Sequence, residues 1–173
     1  MPIQRFLKRV GKSFSEVIAI TTSAGAADGG KIPATDLTTG RFHLSLMPTG
    51  IAPVTKPAVA SETIPAGGWV NLYNNSGVLS VRKADGSASG KEINGFVLAA
   101  YTSGQTADVY EEGTNDQLTG LTIGADYWLD PATPGMIVTP QPTYTAGQVD
   151  QYAGFATAAN ELHFVHSTPV IRA

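Results

Sequence analysis

The 173-residue chain contains no cysteine, so neither disulfides nor thiolate metal sites can contribute to its stability or chemistry, and packing or oligomerisation must take their place. Charge is scarce as well. Asp, Glu, Lys and Arg make up 14% of the residues, against an abundance of Gly, Ala, Thr and Ser, which disfavours a helical enzyme rich in Glu and Lys and favours β-structured surfaces. No apolar run approaches the roughly 20 residues of a membrane span, and the run at 17–20 is too short even for a signal-peptide core, so the chain reads as soluble and not exported. No repeat recurs at a fixed period, which disfavours solenoids and propellers. Two motifs of catalysis are missing. The Gly-rich stretch at 25–30 lacks the Lys-Ser or Lys-Thr of a phosphate-cradling loop, and Gly86-Ser87-Ala88-Ser89-Gly90 places Ala88 where a nucleophile elbow needs its serine.

What is present is an ordered recurrence of short apolar runs cut by Gly, Pro and Asn. Strands are expected at 58–64, 69–73, 78–83, 95–101, 107–111, 126–129, 136–139, 151–157, 161–166 and 170–171. Alternation is clearest in Trp69-Val70-Asn71-Leu72-Tyr73 and Val78-Leu79-Ser80-Val81-Arg82. Between them, Asn74-Asn75-Ser76-Gly77 has the composition of a hairpin loop, because Asn and Gly reach positive φ at little cost; Asp85-Gly86-Ser87 and Ala159-Asn160 read similarly. Many short strands at near-regular spacing predict an all-β fold, a small β-barrel or β-sandwich over 58–173, preceded by an extended N-terminal arm and linker over 1–57.

The arm is basic and poor in core-forming residues. Arg5, Lys8, Arg9 and Lys12 stand among the first twelve residues with no acid, whereas no Lys or Arg occurs between Lys91 and Arg172, where Asp108, Glu111, Glu112, Asp116, Asp126, Asp130, Asp150 and Glu161 lie. Such polarity suits a basic end that docks on an acidic protein surface; nucleic acid is disfavoured because only Phe6 and Phe14 interleave with the basic residues. Ile3, Phe6, Leu7 and Val10 recur at helical spacing and predict a short amphipathic helix, followed by a β-like run at 17–21 and a flexible joint at 22–30. Beyond the joint, Ile32, Pro33, Phe42, Leu44, Leu46, Met47 and Pro48 are isolated between Pro and Gly and predict an extended segment that docks side chain by side chain into a partner, by β-addition.

The remaining chemistry is sparse. His163 and His166, three apart in a β-like run, point to opposite faces and cannot chelate one ion; His43 reads as a contact residue. Asp108, Glu111, Glu112 and Asp116 lack the order of a calcium loop and read as a solvated acidic face. Trp69, Tyr73, Phe96, Tyr101, Tyr110, Tyr127, Trp128 and Phe155 can line a sugar cleft, although core packing explains them more economically. No catalytic residue, metal site or cofactor is expected.

Some stretches resemble a known family. Gly30-Lys31-Ile32-Pro33-Ala34-Thr35-Asp36 with Leu44-Ser45-Leu46-Met47-Pro48 is similar to the linker of tailed-phage fibre and head-fibre proteins. Asn94-Gly95-Phe96-Val97-Leu98-Ala99, the Gly113-Thr114-Asn115 turn, the segment 120–129 and the segment 147–156 resemble the β domain of tailed-bacteriophage capsid decoration (cement) and head-fibre proteins. The likeness covers about 28–171 and leaves the first 27 residues unmatched. It implies a non-enzymatic, trimeric structural protein on the virion's capsid surface, assembled in the host cytoplasm, with Arg5, Phe6, Lys8, Arg9 and Lys12 contacting the major capsid protein. Ile32, Pro33, Phe42, Leu44, Leu46, Met47 and Pro48 would then form subunit interfaces of the homotrimer, with no nucleic acid or membrane as partner. The alternative is a tail-fibre or baseplate-associated module that binds a receptor or a host surface glycan.

Overall fold

Turn chemistry sets the strand boundaries in the computed structural model, which describes residues 5–37, 40–47 and 54–173. The fold is all-β, with no regular helix beyond two 3₁₀ turns among the described residues, and the chain divides into two compact units, Met1–Ala52 and Pro53–Ala173. In the first unit, strands β1 (Arg5–Val10) and β2 (Ser13–Ile18) form an antiparallel hairpin with Arg5 opposite Ile18 and Val10 opposite Ser13. The expected helix is therefore a strand. Gly11, at φ +62°, opens a two-residue Gly-Lys loop whose twist matches paired strands, and the pairing of Phe6 with Val17 outweighs the local 3.6-residue spacing; Ile3 lies outside the described residues.

The expected joint is also ordered. Residues Gly25–Asp28 form a 3₁₀ turn in which the Asp28 carboxylate accepts from the Ala24 backbone N–H at 2.5 Å and pairs with Lys31 Nζ at 2.5 Å. These two contacts, the backbone hydrogen bond first, hold the Asp28 carboxyl below the usual carboxylate range. The turn lies inside the first unit, where a parallel bridge joins Ile20 to Pro33 and Ala34 is buried.

The second unit begins with β3 (Thr55–Ala60), β4 (Trp69–Asn75), β5 (Val78–Lys83), β6 (Gly95–Phe96) and β7 (Thr106–Tyr110), which close into a barrel of order β3-β5-β4-β6-β7. Every pairing is antiparallel except β3 with β5. Five strands enclose little volume, and the lining is correspondingly small: Ala58, Ala60, Ala107, Val70, Val81, Val97 and Val109, with Ile64 as the largest. The β4–β5 hairpin turns on Ser76 and Gly77, both at positive φ, with Asn74 Oδ1 accepting from the Gly77 N–H at 2.7 Å.

A second layer follows, with β8 (Gly113–Asn115), β9 (Asp126–Leu129), β10 (Ile137–Val138), β12 (Tyr152–Ala158) and β13 (Glu161–Phe164) in a sheet of order β10-β9-β12-β13-β8. Strand β11 (Val149–Asp150) pairs separately with β14 (Val170–Ile171). Strand β4 alternates between layers: Val70 enters the barrel, while Trp69 joins Ile93, Phe96, Tyr127, Leu129, Val149, Ala153, Ala156, Leu162 and Phe164 in a core beneath the sheet. Trp69, Phe96 and Phe164 form a triangle of rings with centroids 5.4–6.0 Å apart. Period two thus serves both cores, because β4 and β6 are covered on both faces.

Candidate docking and binding surfaces

The N-terminal hairpin is a two-stranded sheet in which neither face is purely polar. Register places Arg5, Leu7, Arg9, Phe14, Glu16 and Ile18 on one face and Phe6, Lys8, Val10, Ser13, Ser15 and Val17 on the other. Leu7 and Phe14 are 73% and 71% exposed, and Phe6, Val10 and Ile18 are exposed as well. A lone hairpin is marginal in water, and apolar side chains presented on both of its faces mark a surface that gains by being covered. Arg5 pairs with Glu16 at 2.7 Å, and Arg9 Nε donates to the Gly11 carbonyl at 3.1 Å. Lys8, Arg9 and Lys12 meet no carboxylate among the described residues, so the cationic charge stays available around the apolar patch. The hairpin carries all the predicted contact residues but divides them, with Arg5 and Arg9 on one face, Phe6 and Lys8 on the other and Lys12 in the loop. Sequence reading named Leu7, Val10, Phe14 and the run at 17–21 but did not pair them in one hairpin; the signal was the Gly11-Lys12 dipeptide between two runs that pair well.

The predicted interface residues of the arm are more scattered. Ile32 is half-buried and its carbonyl accepts from the Ile20 N–H at 3.0 Å, Pro33 is exposed at the bridge, and Phe42 is exposed. Leu44 and Leu46 bound a 3₁₀ turn, Met47 is exposed, and Pro48 lies outside the described residues. His43 Nδ1 stands 2.8 Å from Ser45 Oγ, which also accepts from the Ser23 N–H at 2.8 Å.

In the second unit the aromatic residues separate. Trp69, Phe96 and Tyr127 are buried, which removes them from any cleft and assigns Trp69 to the core. A different set occupies the outer face of the five-stranded sheet. Trp128 sits between the core residues Tyr127 and Leu129, and His163 between Leu162 and Phe164, so both point outward. On the central strand β12 the register shifts between Tyr152 and Gly154, a bulge that leaves Ala153 and Ala156 in the core and turns both Tyr152 and Phe155 outward. Gly154 permits this: its φ is +142°, and a Cβ there would stand 2.0 Å from the His163 carbonyl oxygen.

Two rows result, Val138-Trp128-Tyr152 and Asp126-Phe155-His163-Thr114. Trp128 meets Tyr152 edge-on at 5.7 Å between centroids, and Phe155 meets His163 at 5.4 Å. The Tyr152 hydroxyl donates to Asp126 Oδ1 at 2.7 Å. Partial burial and, after it, this bond to a carboxylate push the phenol pKa up to about 12. Sequence reading named Trp128 and Phe155, considered His163 only as a metal ligand and rejected it, and missed Tyr152 as part of this face. A glycine inside a strand pattern was the available sign of the bulge that joins them.

The carboxylates do not converge. Glu111 and Glu112 line a cavity of about 400 Å³ with Leu72, Asn94 and His166, whereas Asp108 lies opposite Pro57 in the barrel and Asp116 accepts from Gln117 Nε2. Among the described residues no group of three or more His, Asp or Glu side chains is arranged to hold a metal ion. No family model, curated protein or solved structure matches the chain.

Proposed function

We propose that this chain is a non-enzymatic phage virion protein that decorates and stabilises the capsid exterior as a trimer, anchored to the major capsid protein by the N-terminal hairpin. The observation that supports it is the hairpin itself, whose five large exposed apolar side chains lie among Arg5, Lys8, Arg9 and Lys12 with only Glu16 to offset them. Covering such side chains contributes about 1.5–3 kcal/mol each when burial is complete, and the basic residues set orientation and encounter rate on an acidic shell. The test is co-sedimentation of the full-length protein with undecorated capsids of the parent phage. Wild-type protein binds with an affinity that falls as salt rises, while Leu7→Ser with Phe14→Ser, or Lys8→Glu with Arg9→Glu, abolishes binding and leaves the second unit folded. Binding at wild-type strength by both double variants refutes the anchor.

A second reading, a tail-fibre or baseplate-associated module for a receptor or carbohydrate, is favoured by the outward face of Trp128, Tyr152, Phe155 and His163.

A further inference from the structure

We infer that the outer face of the β10-β9-β12-β13-β8 sheet is a binding site for a neutral, hydroxyl-rich oligosaccharide, seated on Trp128, Tyr152 and Phe155. The inference deepens the second reading above and is independent of the hairpin anchor. It starts from the bulge. In an unbroken strand Tyr152 and Phe155, three apart, face opposite ways; here both face outward, and Phe155 stands 39% exposed in the central strand of its sheet. The backbone conformation that does this requires glycine at 154, so an unusual local geometry serves to expose an aromatic side chain.

The chemistry around the rings selects the ligand. Flat apolar rings suit the C–H faces of pyranose sugars, whose rims are hydroxyl donors and acceptors. The polar side chains on this face are Asp126, Thr114, Thr157, Glu161 and His163, which are predominantly acceptors, and Asp126 is held in place by the Tyr152 hydroxyl. Carboxylates accepting from sugar hydroxyls form charge-assisted hydrogen bonds. The five strands of this sheet carry no Lys or Arg, so they offer no cation to an anionic sugar, and Asp126 and Glu161 repel one. The same two carboxylates oppose self-association of this face with its own copy.

The test is an NMR titration of the full-length protein with cellohexaose, maltohexaose and chitohexaose, with trigalacturonate as the anionic control. The chain has two tryptophans, and Trp69 is fully buried, so its indole N–H signal is an internal reference for that of Trp128. Expected is a saturable shift of the Trp128 indole by at least one neutral sugar and none by trigalacturonate, with affinity weakened about ten-fold or more in Phe155→Ala. Phe155 lies outside the core, so this variant stays folded, its melting transition lowered only by the lost cross-strand contact with His163; His163→Ala provides a second variant from the same row. Absence of any Trp128 shift, equal binding by Phe155→Ala, or an equal response to trigalacturonate overturns the inference. So does a sedimentation coefficient that falls in Phe155→Ala, which assigns the face to copy–copy contact. Loss of host-cell binding in Phe155→Ala without neutral-sugar binding leaves the receptor reading standing and removes the oligosaccharide.

Discussion

Gln151 offers a stringent test of how the second unit holds together. Its side chain is 1% exposed and ties the β11–β12 junction to a segment 58 residues away: Oε1 accepts from the Ile93 N–H at 2.7 Å, and Nε2 donates to the Ile93 carbonyl at 3.0 Å and the Ser167 carbonyl at 3.3 Å. Ile93 is itself fully buried, so its backbone groups have no water to turn to. Gln151→Met keeps the length of the side chain and removes the amide, leaving two buried polar groups without partners at about 1–3 kcal/mol each; a loss of about 2–6 kcal/mol is expected. Gln151→Ala adds a cavity and costs about 1–2 kcal/mol more. A domain with about 5–15 kcal/mol of stability remains folded after the Met change, so both states can be measured. Urea unfolding followed by tryptophan fluorescence is specific to this unit, because Trp69 and Trp128 both lie in it. The midpoint should fall with the slope unchanged. A Met variant within about 0.5 kcal/mol of wild type refutes the reasoning, since surface substitutions cost that much. Gln151→Glu adds a check of sign. Burial raises the pKa of a carboxyl there, and only the protonated form donates to the Ile93 carbonyl. This variant should therefore be closest to wild type in acid and lose stability as pH rises through the raised pKa.

Two further predictions concern the outer face. Gly154→Ala places a Cβ against the His163 carbonyl oxygen at a φ of +142°, so it should destabilise by about 2–4 kcal/mol and shift the His163 and Phe155 resonances; unchanged stability in urea unfolding would show that the bulge is not required. Tyr152 has its folded pKa raised from 10 to about 12, so its contribution to stability is full below pH 10 and is lost as pH rises towards 12. Tyr152→Phe should flatten the fall in stability over that interval, and an identical fall in the variant would assign alkaline unfolding to other groups.

The fold class and most strand positions were legible because turn residues and period-two patterns act locally. The Asn74-Asn75-Ser76-Gly77 loop is an example: the hairpin forms there as expected, with the positive φ on Ser76 and Gly77 rather than on an asparagine. At Ala159-Asn160 the hairpin forms without positive φ, and a register shift between Ala156 and Ala158 absorbs the mismatch instead. Pattern failed at the first hairpin for a definable reason. Phe6, Leu7 and Val10 satisfy helical spacing, but cross-strand pairing with Val17, Glu16 and Ser13 depends on a partner beyond Gly11, which a window centred on one strand does not contain. Gly113-Thr114-Asn115 read as a turn for a similar reason. It is an edge strand against Leu162–Phe164 only because Asn115 is pulled inward, where its Nδ2 donates to the Gly67 carbonyl at 2.9 Å.

The two cores leave the outward aromatic face of the sheet outside the packed interior. Sheet residues facing inward supply Tyr127, Leu129, Ala153, Ala156, Leu162 and Phe164 to a filled interior around Trp69, and Phe155 takes no part in it. Phe155, 39% exposed in the central strand, gains only part of the stabilisation of a fully buried ring, and its geometry depends on the positive-φ glycine beside it. The hairpin repeats this logic in the first unit: Leu7 and Phe14 are exposed on a sheet too small to form its own core. In both places the chain holds apolar surface towards solvent with specific backbone geometry, at Gly11 and at Gly154, and burial by a partner would convert that surface into binding free energy.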